Sequence, residues 1–301
     1  MNLTWRAVTI LLLRYSEIGL KSDPVRKRFE NQLRENIMAM LAKDGVEAFV
    51  TKKGARIFIE TDDSEKAIRS ARKVFGVASM SVAETCSSDM EDICRTAAAY
   101  SKGRLSQGQT FAVDARRDGS HPYTSIDVAR EAGSAIFLEN ESLGIKVKLK
   151  NPDVTFFVEV RDNKAYIFQE VIQCHSGLPI GTQGKVVADV EDDRGLVSAW
   201  LAMKRGCRII FRGPGDFETL RNYDPEMRMA DDKNVRYALA YIQGKGISDL
   251  EDFDASKYDL PVFFPTVAMS DEEVGDLAAK IRAGFRLQRM RGLVTIAPIR
   301  F

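Results

Sequence analysis

The sequence predicts an α+β amino-terminal part followed by an α/β domain built on a parallel sheet. Along the first 84 residues, apolar and amphipathic segments follow one another as strand, helix, strand, strand, helix and strand, the order of a ferredoxin-like unit. Residues 176–184 then contain three Gly and one Pro, and beyond them the pattern becomes strand, helix, strand, the βαβ unit of parallel sheets. With 301 residues, 45% of them apolar and 29% charged, the chain is long enough for two or more folded domains.

The first unit begins with a buried strand, predicted for residues 7–14. Asp23 and Pro24 are the predicted N-cap and first residue of the helix that follows, and Gly45 is predicted to end it. One face of this helix is apolar and is formed by Phe29, Leu33, Ile37 and Leu41. A hairpin over residues 46–51 and 55–60, a helix over 64–73 and a strand over 78–84 complete the unit.

The second stretch is also predicted to be α+β. Its predicted helices cover residues 90–101 and 125–137, and its predicted strands cover residues 110–114, 147–149, 155–160 and 165–171. In the third stretch the predicted strands are 185–190, 207–211, 260–264 and 293–296, and the predicted helices are 196–205 and 272–289. We therefore expect domains at residues 1–75, 76–172 and 185–301, with a linker at residues 173–184.

The composition excludes several classes of protein. No apolar run approaches the roughly 20 residues that cross a bilayer, so we expect no membrane association. No C-x-x-C pair occurs among the four cysteines, which favours a reducing compartment, the cytoplasm, over a disulfide framework; they are Cys86, Cys94, Cys174 and Cys207. Since the chain has only two histidines, we expect no metal centre.

Basic residues in the first half are the candidates for contact with a polyanion. Residues 1–150 carry a net charge of +4, whereas residues 151–301 carry −3. Arg116 and Arg117 follow a predicted strand, and the ring of Tyr123, which precedes a helix, can stack on an unpaired base. Three lysines alternate with apolar residues and are predicted to share one strand face: Lys146, Lys148 and Lys150. The alternative is a solvated edge strand that lysines protect from pairing.

The loop after the first strand of an α/β sheet usually binds nucleotide phosphates, against the amides of a helix N-terminus. Here that loop has one glycine and three consecutive carboxylates, in the order Val190, Glu191, Asp192, Asp193, Arg194 and Gly195. Phosphate binding needs close backbone approach without a negative side chain nearby, because like charges about 4 Å apart repel by roughly 1 kcal/mol even in water. We predict a solvated loop that does not bind ATP; the alternative is that the carboxylates hold Mg²⁺ for a nucleotide.

Motifs along nearly the whole chain are specific when taken together. They are RYSEI (14–18), FAVDARR (111–117), YTSIDV (123–128), VKLKNPD (147–153), GLPIGTQGK (177–185) and VSAWLAMKRG (197–206). In this order they resemble the tRNA 4-thiouridine synthetases, the thiamine/tRNA sulfurtransferase family. The resemblance implies a ferredoxin-like domain, a THUMP domain that docks the acceptor end of tRNA, and an ATP pyrophosphatase (PP-loop) domain. It also implies that Arg14 and Lys21 lie in a loop near the tRNA.

The departures from the family pattern concern its chemistry. The family's phosphate loop reads SGGxDS, and residues 190–195 match it at no fixed position. The family has a catalytic cysteine later in this domain, whereas no cysteine follows Cys207 in this sequence. We also expect no counterpart of the family's C-terminal rhodanese domain. The resemblance therefore implies a retained fold with lost adenylation, no catalytic residue and no bound cofactor.

Three functions follow as hypotheses. The first is a tRNA-binding protein with a degenerate PP-loop domain that recruits or positions a separate modification enzyme or sulfur carrier. The second is an active tRNA uridine 4-sulfurtransferase that uses ATP and Mg²⁺, with Cys174 and Cys207 as the cysteines nearest its domain. The third is an assembly protein that forms a homodimer through Val262, Phe263 and Phe264, a segment that the pattern otherwise predicts to be a buried strand.

Overall fold

A computed structural model of the chain describes residues 9–284 and the backbone of two short strands beyond them. It contains two compact units: residues 9–12 with 81–171 form one, and residues 13–80 with the chain from 172 onward form the other. Parts of three predicted elements lie outside the described residues, namely residues 7–8, 285–288 and 295–296.

The ferredoxin-like elements occur in the predicted order. They are β1 (Thr9–Arg14), α1 (Asp23–Lys43), β2 (Ala48–Lys53), β3 (Arg56–Thr61), α2 (Ser64–Ala71) and β4 (Ser79–Ser87), with the strand order β2-β3-β1-β4. Helix α1 buries the predicted apolar face, including Phe29, Leu33 and Ile37. Its N-cap is Ser22 and not Asp23, since Asp23 already has helical geometry with Pro24 in the first turn.

The second stretch folds as predicted in type and order. It consists of α3 (Met90–Ser101), β5 (Thr110–Asp118), α4 (Ser125–Glu139), β6 (Lys146–Val147), β7 (Val154–Arg161) and β8 (Lys164–Phe168), in the sheet order β4-β8-β7-β5-β6. Phe111 and Phe156 pack with Val128 and Ile136 in a fully buried core between the sheet and the helices. Thr124 begins α4 with a capping box, in which Asp127 binds back to the Thr124 N–H.

The predicted lysine strand is wrong in extent. Strand β6 ends at Val147, and Lys148 and Lys150 lie in the bend that follows. The chain turns at Asn151, whose φ of 50° is left-handed, because Asp153 must reach Thr110, where its carboxylate accepts hydrogen bonds from the N–H and the hydroxyl. These bonds fix the start of β7 beside β5, so the chain leaves β6 after Val147. Because Lys148 and Lys150 lie outside the strand, the three lysines do not share one strand face.

The last stretch is an α/β domain. After β9 (Ile172–Gln173) come β10 (Lys185–Asp189), α5 (Asp193–Lys204), β11 (Arg208–Arg212), α6 (Phe217–Arg221), β12 (Arg228–Met229), β13 (Ala238–Gln243), β14 (Val262–Phe263), α7 (Asp271–Ala283), β15 (Arg289–Met290) and β16 (Leu293–Val294). In the described chain, β12-β11-β10-β13-β14 pair in parallel, in that order. Buried Trp200 and Met203 of α5 lie in the core of this domain, together with Phe75 from the ferredoxin-like part.

The structure corrects two predictions for this domain and adds strand β13, which the sequence did not predict. The segment 262–264, predicted to be buried, lies at the edge of the sheet, where the Phe263 side chain is 56% exposed. Helix α7 ends at Ala283 and not at residue 289, because Gly284 has a φ of 58°, a left-handed conformation that stops helices.

No described helix is long and apolar enough to cross a bilayer.

Candidate RNA-binding residues and the position of the phosphate loop

Arg116 and Arg117 lie near the end of β5 and, as strand neighbours, point to opposite faces of the sheet. The Arg117 guanidinium donates to the Gly119 carbonyl at 2.8 Å. Arg116 is exposed, pairs in register with the buried Glu159, and forms no hydrogen bond or ion pair with any described residue. Both guanidinium groups are thus exposed to a ligand, and Arg116 is the one of the two without a partner among the described residues.

Tyr123 is already bound within its own domain. Its hydroxyl donates to the carbonyl of Ser88, and its ring stacks on His121 with the centroids 5.4 Å apart and the planes 26° apart. The His121 ring in turn contacts the Asp162 carbonyl. One face of the Tyr123 ring and its hydroxyl are therefore in contact with the chain itself, and stacking on a base stays a prediction for this residue.

The three lysines flank the beginning of β5, whereas the two arginines lie at its end. Lys146 pairs in register with Thr110, and the Lys148 N–H donates to the Phe111 carbonyl at 2.9 Å. Phe111 and Arg116 are five residues apart, about 17 Å at roughly 3.3 Å per residue. All three lysines are exposed, but the structure does not bring them together with Arg116 into one cluster.

Arg14 and Lys21 belong to the ferredoxin-like part. Arg14 is the last residue of β1, where its carbonyl accepts from the Ala78 N–H at 2.7 Å. Lys21 follows the 3₁₀ turn Glu17–Leu20 and is exposed. The loop between Arg14 and Lys21, predicted to lie near RNA, is thus short. Backbone hydrogen bonds hold it at Arg14 and at Lys21, and the Lys21 side chain is exposed.

At the position of the phosphate loop, Asp192 is the N-cap of α5. Its carboxylate accepts the Gly195 N–H at 2.8 Å, so an acidic side chain of the chain itself is bound to a helix N-terminal amide. Amides of this kind bind phosphate in nucleotide sites. In this conformation a triphosphate at this position would have to displace Asp192 and approach its charge.

The next two residues of the loop are tied to helix α7. Asp193 accepts from the Arg282 guanidinium at 2.5 Å, a bond that lowers the pKa of Asp193. Arg194 donates to the Thr266 and Met269 carbonyls at 2.9 and 3.1 Å. It also pairs with Asp271 at 2.6 Å. The sequence predicted a solvated loop, whereas ion pairs hold it at the start of α5: Arg194 pairs with the first residue of α7, Asp271, and Asp193 pairs with Arg282 in its last turn.

The carboxyl ends of the central strands are also occupied by the chain's own side chains. Asp189, the last residue of β10, binds the guanidinium of Arg212 through both oxygens and accepts from the Gln243 amide. This is the switch point of the sheet, where open α/β sheets usually bind ligands. The backbone after β13 also lies very close to the start of α5, since a Cβ on Gly244 would lie 2.3 Å from the Gly195 nitrogen. This cluster was not predicted from the sequence, because strand β13, which carries Gln243, was not predicted either.

The cysteines of this part are poorly suited to nucleophilic chemistry. Burial raises the pKa of the Cys174 thiol to about 12, and burial also raises the pKa of Cys207. The thiolate is the reactive form, so burial disfavours the reactive state of both cysteines. Within residues 9–284 no group of three or more His, Cys, Asp or Glu side chains is arranged to hold a metal ion.

Comparison with known families assigns the first two parts of the chain. A model of the ThiI ferredoxin-like domain matches residues 10–81, and a model of the THUMP domain matches residues 87–170. With the parallel sheet that follows, these matches confirm the predicted fold class: a ferredoxin-like and a THUMP domain followed by an α/β domain.

Curated relatives carry the name probable tRNA sulfurtransferase. The one from Methanosarcina acetivorans is 42% identical over 66% of this chain and 49% of its own length. The one from Methanocaldococcus jannaschii is 36% identical over 66% of this chain and 54% of its own length. The chain thus spans about half the length of the curated relatives that it matches.

Two solved structures share the fold along most of the chain. A crystal structure of a Pyrococcus horikoshii Ot3 protein is 27% identical, with a TM-score of 0.77 over 91% of this chain and 99% of that one. A 4-thiouridine synthetase, crystallised as an RNA complex with bound ATP, is 23% identical, with a TM-score of 0.74 over 91% of this chain and 85% of that one.

Proposed function

We propose that this chain is a tRNA-binding member of the tRNA sulfurtransferase family whose α/β domain does not adenylate tRNA. The ferredoxin-like part (residues 1–75) and the THUMP domain (76–172) would bind the acceptor end of tRNA. The α/β domain (185–301) would then present the bound tRNA to a separate modification enzyme or sulfur carrier.

The domain matches and the names of the relatives support the tRNA part of this proposal. THUMP and ThiI ferredoxin-like models match adjacent segments, and relatives at 36–42% identity are named probable tRNA sulfurtransferases. Arg116, Lys146, Lys148, Lys150 and Lys21 are exposed cations in these two parts. Cations of this kind contact phosphates and make binding dependent on salt. Arg117 and Tyr123, whose side chains bind neighbouring backbone carbonyls, and Arg14, at the end of β1, would position these contacts.

The bond between Asp192 and Gly195 is the observation that carries the second part of the proposal. A carboxylate bound to this amide supports the loss of adenylation, because a phosphate cradle needs bare amides. Arg194 and Asp193 hold the loop in this conformation through Asp271 and Arg282. An acidic residue bound at a helix N-terminus is stabilised by the helix dipole, which makes its displacement by another anion unfavourable.

The second candidate is an active ATP-dependent tRNA uridine 4-sulfurtransferase, which the names of the curated relatives favour. This function would require ATP and Mg²⁺ to rearrange the loop after β10. It would also require a reactive thiol, for which burial of Cys174 and Cys207 is unfavourable.

Two measurements on the purified chain test the proposal. Filter binding with tRNA should show affinity that falls as salt rises, and Arg116→Ala/Lys148→Ala should weaken it and make the salt dependence shallower by about 1 to 2 in log–log slope. The matched control is Lys257→Ala/Lys280→Ala, which removes two exposed lysines of the α/β domain.

Calorimetry with ATP and Mg²⁺, together with a thiolation assay on tRNA, tests the loss of adenylation. We expect no heat of binding and no thiolated tRNA in the presence of a sulfur donor. Binding of ATP with formation of 4-thiouridine would establish the second candidate, and absence of tRNA binding at low salt would refute the proposal.

A further inference from the structure

A basic groove runs along the amino-terminal edge of the parallel sheet, at the opposite strand ends from the loop at residues 190–195. Strand β10 begins there with Lys185 and β11 with Arg208. The groove has a volume of about 830 Å³. Among the described residues that line it, two carboxylates face six cations: Lys185, Arg208, Arg221, Arg228, Lys233 and Arg236. A groove of this size and charge can accommodate a chain of phosphates.

Both lining carboxylates are already bound. Glu226 pairs with Arg208 at 2.5 Å. The Asp231 carboxylate accepts the N–H groups of Lys233 and Asn234 at 2.8 and 2.7 Å. By contrast, the exposed side chains of Arg228 and Lys233 form no hydrogen bond or ion pair with any residue in the described part of the chain. Arg208, which also pairs with Asp224, and Arg221, which pairs with Glu218, are partly compensated, whereas Arg228 and Lys233 keep their charges available to a ligand.

Tyr237 lies at the rim of the groove among cations. Its side chain is 57% exposed, although it is a large aromatic residue. The Arg236 guanidinium lies 4.8 Å from the ring centroid and donates to the hydroxyl at 2.8 Å, and the Lys185 ammonium lies 5.7 Å from the centroid. An exposed aromatic ring beside a line of cations is the combination with which proteins bind single-stranded nucleic acid, since bases stack on the ring and phosphates contact the cations.

We propose that this groove binds a single-stranded RNA segment, with Tyr237 stacking on a base and with Arg228, Lys233 and Arg236 contacting the phosphates. This inference goes beyond the proposed function, because it places a second RNA contact in the α/β domain. It does not depend on whether the THUMP domain binds tRNA. A single-stranded segment fits better than an acidic peptide because a peptide carboxylate offers no flat ring to the exposed tyrosine.

Fluorescence anisotropy with a short labelled oligouridylate tests the proposal on the full chain. At about 0.1 M salt, Arg228→Ala/Lys233→Ala should bind more than tenfold more weakly, with a salt slope shallower by about 1.4. Its control, Lys257→Ala/Lys280→Ala, removes the same charge elsewhere on the domain and should bind as the parent does. Tyr237→Ala should lose about fivefold or more, whereas Phe263→Ala, which removes a ring that is 56% exposed outside the groove, should lose nothing.

The outcomes separate this inference from the proposed function. If the groove variants bind oligouridylate like the parent while Arg116→Ala/Lys148→Ala loses tRNA, the groove proposal is overturned and the proposed function stands. If polyglutamate of equal charge displaces the RNA from the parent but not from the groove variant, the groove prefers acidic peptides and the proposal is overturned. Circular dichroism and thermal unfolding of each variant show that a loss of binding is not a loss of fold.

Discussion

The carboxylate of Asp192 and the backbone N–H of Gly195 form a hydrogen bond of 2.8 Å at the first turn of α5. The sequence predicted repulsion between this loop and phosphate. The structure supplies a more direct obstacle, because the amide that would bind phosphate is already donating. Asp193 and Arg194 add ion pairs to Arg282 and Asp271, so these residues tie the loop to helix α7.

Removing the Asp192 cap should destabilise the protein. We expect Asp192→Ala to lower the free energy of unfolding by about 1 kcal/mol, because the N-terminal amide of α5 loses its partner. The matched control is Glu191→Ala, at the exposed neighbouring residue, which should change stability by less than about 0.5 kcal/mol. Urea denaturation measures both, and equal effects would show that Asp192 does not act as a cap in solution.

The close approach of Gly244 to Gly195 predicts opposite results for two Gly→Ala substitutions. Gly244→Ala should destabilise by about 1–3 kcal/mol, because the new Cβ would lie 2.3 Å from the Gly195 nitrogen and the backbone must move apart. Gly275→Ala, in the helix α7 with no atom within 4 Å of the added Cβ, should stabilise by about 0.5–1 kcal/mol. Thermal unfolding compares them, and a stable Gly244→Ala variant would mean that the crevice opens readily.

The hydroxyl of Tyr123 should matter for stability and not for RNA. Tyr123→Phe removes the bond to the Ser88 carbonyl and keeps the ring on His121, so we expect a loss of about 1 kcal/mol with unchanged affinity for tRNA. Tyr237→Phe, at an exposed ring, is the control and should leave stability within about 0.5 kcal/mol. A drop in tRNA affinity for Tyr123→Phe at unchanged stability would assign the hydroxyl to the RNA interface instead.

Buried His175 should make stability depend on pH. Burial, with the charges of Lys204 and Arg72 nearby, lowers the pKa of this histidine from 6.5 to about 3. Between these two pKa values, His175 binds a proton in the unfolded chain but not in the folded chain. The contribution of neutral His175 is complete above about pH 6.5 and is lost as the pH falls, with a slope of up to about 1.4 kcal/mol per pH unit.

The variant His175→Phe isolates this effect, because phenylalanine keeps an aromatic ring among Phe75, Trp200 and Tyr223 but does not titrate. The difference in unfolding free energy between parent and variant, measured by urea denaturation from pH 8 to pH 4, should change in favour of the variant as the pH falls. Parallel curves would show that His175 is not held neutral by burial.

The sequence determined most of the local structure and the order of the elements. Periodicity and turn residues predicted α3 to the residue, and α1, α4 and α5 to within a few residues, because amphipathic spacing and capping are local properties. The short strand β6 and the edge strand β14 were predicted incorrectly. Their length and exposure are set by Asp153 binding Thr110 and by the position of β14 in the sheet, which are not local.

The charged residues show the same division. The sequence alone predicted that the loop repels phosphate, because three adjacent carboxylates, Glu191, Asp192 and Asp193, carry the same sign of charge as the anion. Only the tertiary structure decided which partner each charge has, that Lys148 lies far along β5 from Arg116, and that cations between residues 185 and 236 meet in one groove in the more acidic half of the chain. The physical reason is that charge is a property of each residue, whereas the field at a surface depends on which residues the folded chain places side by side.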